Sequence, residues 1–190
     1  MKRRFDHFDF LAPIYEIVIR PNRTDEFWSL VDMPENGIIL DAGGGTGRVA
    51  QFLAGKANQI IVCDLSIKML HETLAKEGLQ PVCAPSEIMP FSANLFNRII
   101  MVDALHHVVN QLETAAELWR VLKPGGHIVI EEPDINKFGV KLIALAEKIA
   151  LMRSHFLNSL QIANLFRFSD ATVEVCSNNS NSWILIKKGI

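Results

Sequence analysis

The hydrophobic positions of this chain fall into short runs separated by amphipathic segments. From Gly37 onward the runs GIILD, QIIVCD, PVCA, NRIIMVD and HIVIEE are β-branched and apolar throughout rather than alternating. Such runs are typical of parallel strands that are covered on both faces. Helical segments are predicted between them over residues 47–55, 66–77 and 110–122, with Ser66 as the N-cap of the second. The alternation predicts a doubly wound α/β sheet with right-handed crossovers.

The pattern changes at both ends of the chain. Residues 5–20 mix aromatic and acidic residues up to Pro21, which predicts a short helix, and residues 139–166 predict unusually apolar helical structure. After them, ATVEVCS and SWILIKK flank the turn-rich NNSNS, which is the pattern of a hairpin. Because no internal repeat or low-complexity linker interrupts the chain, we expect a single domain.

Composition and charge exclude several classes of function. Hydrophobic residues make up 49% of the 190 residues, charged residues 21%, and the net charge is −2, so no basic footprint for nucleic acid is present. No apolar run follows the basic N-terminus, and the most apolar segment is too short to span a bilayer, so neither a signal peptide nor membrane insertion is expected. Cys63, Cys83 and Cys176 fit reduced cysteines of a cytoplasmic protein. No pattern specifies an oligomeric state.

The stretch ILDAGGGTGRVA places four glycines within five positions directly after the first predicted strand. A dinucleotide fold needs glycines at the first, third and sixth positions; Gly43 and Gly45 fit, but the sixth is Arg48. A P-loop needs Lys followed by Ser or Thr, where this chain has Arg and Val. The spacing that fits is acidic-x-G-x-G-x-G, filled by Asp41, Gly43, Gly45 and Gly47.

The second predicted strand ends in Asp64. A carboxylate about twenty residues beyond a glycine loop can accept hydrogen bonds from both hydroxyls of a ribose. The alternative for Asp64 is a helix-capping or turn residue.

At these residues the chain resembles the S-adenosylmethionine-dependent methyltransferases of the Rossmann-like class, and within them the small-molecule branch that includes the ubiquinone and menaquinone methylases. ILDAGGGTG resembles the first motif of the family, and IIVCDLSIKML resembles its second-strand motif. EIMPFSANLFNRIIMVDALHHV resembles the third-to-fourth-strand region, and LKPGGHIVIEEP the turn and fifth strand. The resemblance runs in order from about residue 6 to residue 132.

The resemblance implies a fold and a function. The fold is a doubly wound, mostly parallel seven-stranded sheet with a C-terminal antiparallel hairpin. Residues 1–190 would form one methyltransferase domain, with an N-terminal helical cover (1–35), a cofactor-binding core (36–134), and substrate-side helices with the terminal hairpin (135–190). The implied function is methyl transfer from S-adenosylmethionine, with S-adenosylhomocysteine as product, to a small molecule that could be apolar. A non-catalytic cofactor-binding or scaffold protein and an NAD-dependent oxidoreductase are the alternatives.

The resemblance also assigns the residues that contact the cofactor. They are Tyr15, Asp41, Ala42, Gly43, Gly45, Gly47, Asp64, Leu65, Met69, Ser86, Glu87 and Asp103. The glycines are expected to pass the methionine part of the cofactor, because any side chain there would collide with it. Asp64 is expected to hold the ribose hydroxyls, and Asp103 to line the sulfonium end.

The remaining assignments concern the adenine and the cover of the site. Leu65 and Met69 are expected to pack by the adenine, and Ser86 and Glu87 to lie at its edge. Tyr15 is expected to cover the site, the alternative being a buried aromatic residue on an amphipathic helix.

One position departs from the family pattern. Pro85 stands where the family commonly has an acidic acceptor for the adenine amino group, and proline offers neither a side-chain acceptor nor an N–H. Either Ser86, Glu87 or a backbone carbonyl makes that contact, or the affinity for the cofactor is reduced.

Two pairs of residues are candidates for catalysis. His106 and His107 follow the fourth strand at the edge where ligands bind in such sheets, and histidine is the usual base near neutral pH. The alternative is that one caps the next helix and the other packs against the cofactor. No metal site is expected, because no third ligand stands at a suitable spacing. Glu131 and Glu132 end the fifth strand at the same edge, where a structural role is favoured over that of a general base.

Overall fold

A computed structural model of the chain describes residues 25–34, 36–135, 154–177 and 181–190. The strands are β1 (Ile38–Ala42), β2 (Gln59–Asp64), β3 (Leu79–Cys83), β4 (Phe96–Val102), β5 (Leu122–Pro133), β6 (Ala171–Ser177) and β7 (Asn181–Lys188). The α-helices in the described ranges are α1 (Asp25–Val31), α2 (Ile67–Leu74), α3 (Gln111–Val121) and α4 (Ser159–Ala163). Short 3₁₀ turns lie at Ala50–Leu53, Leu105–His107 and Asn164–Phe166.

All seven strands belong to one sheet, in the order β3-β2-β1-β4-β5-β7-β6. Strands β1 to β5 pair in parallel, whereas β7 is antiparallel to both β5 and β6. The predicted fold class is confirmed, including the C-terminal hairpin. The strand order reverses between β1 and β4, which is where ligands bind in sheets of this type, beyond the carboxyl ends of the strands.

The central strand is buried on both faces, as the unbroken apolar runs predict. Leu40 and Ala42 belong to an apolar cluster on one face of the sheet, and Ile39 belongs to a second cluster. This follows from the period of two along a strand, which sends successive side chains to opposite faces. Polar side chains can therefore reach solvent mainly at the strand ends.

The helix caps agree with the sequence, but one predicted helix does not form. The Ser66 hydroxyl accepts from the Met69 N–H as the N-cap of α2, and Asn110 caps α3 in the same way. Residues 47–55 were predicted to be helical and instead form turns and a 3₁₀ segment. Gly47 and Gly55 bound this segment with φ values of +73° and +77°, which an α-helix does not accommodate.

The prediction of helix over residues 139–166 is wrong at residues 154–158, which form neither helix nor strand. The His155 N–H donates to the His106 carbonyl (2.7 Å), so the backbone of this segment bonds to the loop after β4 rather than within a helix. A helix begins only after Asn158, which forms a capping box with Gln161. Residues 136–153 and the helix predicted over 5–20 lie outside the described residues. No helix in the described part of the chain is long and apolar enough to cross a membrane.

Candidate functional site

The carboxyl ends of the parallel strands bring most of the predicted site residues to one edge of the sheet. The glycine loop follows β1, Asp64 ends β2, and Ser86 with Glu87 follows β3. Asp103 and the two histidines follow β4 on the other side of the point where the strand order reverses. Tyr15 lies outside the described residues, so its predicted role stays a prediction.

The glycine loop is held in a left-handed conformation. Gly43, Gly45 and Gly47 have φ values of +68°, +55° and +73°, a region that L-residues with a side chain rarely occupy. The N–H groups of Gly43 and Gly44 both point at the carbonyl of Cys63, at 2.7 and 3.3 Å. The loop therefore leaves β1 by turning back over the end of β2.

Two of these glycines lie too close to other side chains for a Cβ atom to be added without a shift. A Cβ atom at Gly43 would lie 2.6 Å from Cβ of Ala104, and one at Gly47 would lie 2.8 Å from Cδ1 of Leu79. Both distances are below any real contact between carbon atoms. The expectation that these side chains would collide with the cofactor is therefore incomplete, because they would first collide with the protein.

Gly45 differs from its neighbours. Among the described residues, the nearest atoms to a Cβ atom there would be Oδ2 of Asp64 at 3.9 Å and Sδ of Met69 at 4.0 Å, which are ordinary van der Waals contacts. Its N–H donates to Oδ2 of Asp64 (2.9 Å), and its carbonyl accepts from the hydroxyl of Thr73 (2.9 Å). The loop is thus fixed from both sides, and the described residues leave room for a Cβ atom on Gly45.

The sequence reasoning missed the anchors that α2 supplies to this loop. Thr73 is fully buried and holds the carbonyl of Gly45, while Nζ of Lys76 lies 2.5 Å from the carbonyl of Thr46. The available signal was a threonine among the apolar positions of α2, on the face that packs against the sheet. Such a side chain is buried only if its hydroxyl finds a partner.

Asp64 anchors both the glycine loop and the start of α2. Oδ1 accepts from the Ser66 N–H (2.8 Å), and Oδ2 accepts from the Gly45 N–H. A carboxylate offers about four lone-pair sites, so it can accept more than these two hydrogen bonds. Beside it, Met69 is buried under the loop, whereas Leu65 is 62% exposed at the rim.

Asp103 pairs with an arginine from the glycine loop. NH2 of Arg48 lies 2.8 Å from Oδ2 of Asp103, and the Asp103 backbone is left-handed with a φ of +52°. Arg48 is only 4% exposed, so its charge requires this partner. The residue that fails the dinucleotide pattern therefore joins the loops after β1 and β4, which sequence reasoning missed.

Glu87 ties the loop after β3 to the start of α3. Oε1 accepts from the N–H groups of Val109 (2.8 Å) and Asn110 (3.1 Å). The carbonyl of Pro85 accepts from the Ile88 N–H (3.1 Å) within its own turn. The proline is therefore part of a local turn, and Glu87 combines a bracing role with its predicted place near the adenine edge.

His106 forms a buried pair with Glu132. Nδ1 of His106 lies 2.5 Å from Oε2 of Glu132, and the two residues are 4% and 3% exposed. The other carboxylate oxygen accepts from the N–H groups of Ala104 (3.1 Å) and Leu105 (2.7 Å). The Phe156 ring stacks on the imidazole with the ring centroids 4.3 Å apart. The Glu132 carboxylate and the Phe156 ring therefore fix this imidazole.

His107 is in a different electrostatic state. Burial, and after it the neighbouring His106 ring, lower the pKa of His107 to about 3. Its Nδ1 lies 3.3 Å from the Ser154 hydroxyl. His107 is therefore neutral near pH 7. The expectation that one histidine caps the next helix is wrong, because Asn110 is the cap.

Glu131 points away from Glu132, as neighbours on a strand do. Its carboxylate accepts from Nδ2 of Asn181 (2.7 Å) and Nε1 of Trp183 (2.8 Å), both on β7. It is 1% exposed. The consecutive acids of β5 therefore serve different faces, with Glu131 in the packing of the hairpin and Glu132 at the histidine pair.

Comparisons with known proteins agree with this geometry. The family whose model matches residues 40–130 is described as a methyltransferase domain. The ubiquinone/menaquinone biosynthesis C-methyltransferase UbiE of Coxiella burnetii is 36% identical over 104 residues, covering 50% of this chain and 42% of the relative. The chain thus spans about half the length of the curated relatives it matches.

Solved structures extend the similarity in fold. An S-adenosylmethionine-dependent methyltransferase of Thermotoga maritima superposes with a TM-score of 0.74 at 21% identity, covering 95% of this chain and 98% of that one. The [4+2]-cyclase SpnF gives a TM-score of 0.76 at 14% identity, covering 96% and 94%. Residues 40–130 therefore match a methyltransferase domain, and over this part the chain is similar to the ubiquinone/menaquinone C-methyltransferases.

Proposed function

We propose that this chain transfers the methyl group of S-adenosylmethionine to a small molecule. The observation that carries the proposal is the position of Gly45 beside the carboxylate of Asp64, where a Cβ atom would meet the described residues only at van der Waals distance. Ribose hydroxyls need an acceptor, and a carboxylate is one. A side chain at position 45 would fill the space beside that acceptor. The residues present therefore fit the cofactor that the resemblance implies.

The residues that would hold the cofactor are those at the strand ends. Gly45 and Asp64 would receive its ribose side, with Met69 beneath. Ser86 and Glu87 follow β3, where the family places the adenine edge. Asp41, Ala42, Gly43, Gly47, Leu65 and Asp103 complete the proposed set.

The cofactor supplies a methyl group on a positively charged sulfur, a good leaving group for in-line displacement. The chain has to hold the acceptor in line and keep water out. Asp103 and Arg48 join the loops on the two sides of the point where the strand order reverses, which holds these two loops together. Phe156 and the His106–Glu132 pair lie on the β4 side of the proposed site.

We propose further that the acceptor is small and apolar. Four large apolar side chains stand exposed on the loops that follow β2 and β3 and at the start of α3: Leu65 (62%), Ile88 (75%), Val109 (78%) and Leu112 (63%). The net charge of −2 offers no attraction to a polyanion. The similar C-methyltransferases are named for ubiquinone and menaquinone biosynthesis, which supports a quinone-type acceptor. Free cysteines at positions 63, 83 and 176 support a cytoplasmic location.

The alternatives have less support. The chain lacks the sixth-position glycine that an NAD-dependent oxidoreductase needs, because Arg48 occupies that position and pairs with Asp103. A non-catalytic scaffold is not favoured either, because the chain keeps both the loop geometry and the similarity to methyltransferases. The fold shared with a cyclase means that the reaction has to be tested rather than taken from the architecture.

The first test is ligand-dependent thermal unfolding. S-adenosylmethionine or S-adenosylhomocysteine at about one hundred times its dissociation constant should stabilise the chain by about 2.7 kcal/mol. For a domain of this size, the melting temperature should rise by about 5–10 °C. NAD is the matched control and should give no shift. A shift with NAD alone would refute the proposal, and a shift with the methionine cofactors justifies a transfer assay with hydroquinones.

A further inference from the structure

We propose, on the basis of the function proposed above, that Gln111 is a positioning residue for the methyl acceptor. It ties residues 154–158 to the start of α3 and to the turn after β4, so that the ring of Phe156 is a fixed stacking surface for a flat aromatic acceptor. The juxtaposition that carries this is one amide nitrogen that donates to the carbonyls of two different segments at the ligand-binding edge of the sheet.

The side chain of Gln111 joins these two segments. Its Nε2 lies 3.0 Å from the carbonyl oxygen of Leu105, in the turn after β4, and 2.7 Å from the carbonyl oxygen of His155. An amide nitrogen carries two hydrogens and a carbonyl oxygen only accepts, so each hydrogen serves one carbonyl. A side chain without a donor at this position therefore loses both contacts at once.

The start of α3 is itself held in place. Gln111 is the first residue of α3, and the side chain of Asn110 caps the helix. Oε1 of Glu87, from the loop after β3, accepts from the N–H groups of Val109 and Asn110. The loop after β3, the turn after β4 and residues 154–158 therefore meet at this helix end.

The segment held by Gln111 carries an aromatic ring to this edge. The His155 N–H donates to the His106 carbonyl (2.7 Å), and the Phe156 ring stacks on the imidazole with the centroids 4.3 Å and the planes 16° apart. Phe156 is only half-buried, although the imidazole lies on its ring. The ring therefore keeps apolar surface on which an aromatic ligand can stack with an offset.

The side chains around this helix end suit an apolar acceptor. Val109 and Leu112 flank Gln111 in the chain and are 78% and 63% exposed, and Leu157 is half-buried next to Phe156. Exposed apolar side chains that lie together mark interaction and ligand sites. An aromatic acceptor would cover part of this surface, whereas a charged acceptor would lose hydration there without a partner.

The test compares the same substitution at two glutamines. Gln111→Glu replaces the donor nitrogen with an acceptor oxygen, so both carbonyls lose their partner. At Gln161 the oxygen is used instead, because Oε1 accepts from the Asn158 N–H (2.9 Å), so Gln161→Glu keeps this contact and adds the same charge. Gln111→Met has a similar length, no donor and no charge, and it separates the loss of the hydrogen bonds from the effect of the charge.

Steady-state methylation of methylhydroquinone measures the effect on the acceptor. Both Gln111 variants should raise KM for the acceptor by about tenfold and keep kcat within about threefold, because they weaken acceptor binding rather than the transfer step. Phe156→Leu should raise the same KM by about tenfold, since it removes the stacking surface. Gln161→Glu should keep both constants within about threefold, and all variants should bind S-adenosylhomocysteine as the wild type does.

Backbone hydrogen exchange gives a readout that does not depend on turnover. The His155 N–H should exchange about tenfold faster in both Gln111 variants than in the wild type and at the wild-type rate in Gln161→Glu, while the amides of β1 keep their protection. Unchanged exchange at His155 in the Gln111 variants would overturn the positioning role. Faster exchange in β1 as well would also overturn it, because Gln111 would then serve the stability of the whole fold.

The kinetic outcomes are equally decisive. A loss of kcat with unchanged KM in the Gln111 variants would overturn the inference, and so would an unchanged KM in Phe156→Leu. A wild type that binds S-adenosylhomocysteine but neither methylates nor binds methylhydroquinone would overturn the aromatic stacking surface. A wild type that binds no methionine cofactor would instead overturn the proposed function, and hydrogen exchange at His155 would still show whether Gln111 holds the segment.

Discussion

Replacing Gly45 with valine tests whether this glycine is required for cofactor binding or for the stability of the fold. Gly45 has a φ of +55°, and a Cβ atom there would have its nearest protein neighbour at 3.9 Å. Gly55 offers a matched control, because its φ is +77° and a Cβ atom there would meet nothing within 4 Å. It lies in the turn before β2, away from the carboxyl ends of the strands. Both substitutions therefore force valine into the left-handed region without a clash.

The two variants should lose similar stability but very different affinity. The left-handed conformation costs a residue with a side chain about 1–2 kcal/mol, which for a domain of this size lowers the melting temperature by about 2–8 °C. At position 45 the Cβ atom would stand 3.9 Å from Oδ2 of Asp64. A ribose hydroxyl bonded to that oxygen stands about 2.7 Å from it, so the methyl groups of valine would enter the space of the sugar. We expect affinity to fall by at least about 100-fold, equivalent to about 2.8 kcal/mol.

Isothermal titration with S-adenosylhomocysteine, next to thermal unfolding of the unliganded variants, measures both quantities. Gly55→Val should bind as the wild type does and melt lower. If Gly45→Val also bound within about threefold of the wild type, the space above Gly45 would not be the cofactor site. If it failed to fold while Gly55→Val folded, the loop glycine would be serving the packing of the protein.

Three further outcomes follow from the contacts described above. Asp64→Asn keeps an acceptor oxygen but loses the charge, so titration should show cofactor affinity reduced by about tenfold, at a cost of about 1.5 kcal/mol; unchanged affinity would contradict the ribose role. Burial raises the pKa of Cys63 to about 12, so at pH 8 a thiol reagent should modify the exposed Cys83 and leave Cys63 untouched until the chain unfolds; labelling followed by mass spectrometry would detect the opposite. Trp183→Phe removes an N–H donor from the buried Glu131, and chemical denaturation should show a loss of about 1–3 kcal/mol; a neutral result would mean that the carboxylate finds another donor.

Local patterns predicted most of the fold. The strands follow from apolar runs, and the predicted cap at Ser66 follows from a side chain that bonds within three residues of itself, whereas the cap at Asn110 was not predicted. The glycine loop and Asp64 were found because their spacing is a property of one strand–turn unit. The prediction failed at residues 47–55, where apolar residues suggested a helix but glycines with positive φ enforce turns.

Other parts of the site depend on contacts between distant segments, which no local pattern contains. Arg48 and Asp103 are separated by 55 positions, and Glu132 and His106 by 26. From the sequence, no pairing between the two adjacent histidines and the two adjacent acids was predicted. Side chains of β5 alternate between the two faces of the sheet, which places Glu132 and not Glu131 beside the histidines. The turn after β4 places His106 and not His107 against Glu132. Once the strand register is known, the pairing follows.

The acidic residues at this edge share a role that the family pattern did not suggest. Asp64, Glu87 and Glu132 each accept from two backbone N–H groups in the loops around them. These are the N–H groups of Gly45 and Ser66, of Val109 and Asn110, and of Ala104 and Leu105. Loops that leave a strand end expose N–H groups that have no partner in the sheet, so a carboxylate at the strand end can hold them.

This double use has a consequence for the assignment of ligand contacts by mutation. Replacing Asp64 with alanine removes an anchor of two loops together with a ligand acceptor, so lost binding would not distinguish the two roles. Asparagine keeps an oxygen for one N–H, but it loses the charge and turns its amide nitrogen, a donor, toward the other N–H. Asp64→Asn and Asp64→Ala should therefore be compared both in cofactor affinity and in melting temperature. A loss of affinity out of proportion to the loss of melting temperature would show that the carboxylate contacts the ligand. If affinity and stability fell in constant proportion through both variants, Asp64 would be an anchor alone, and the ribose would have to be held elsewhere.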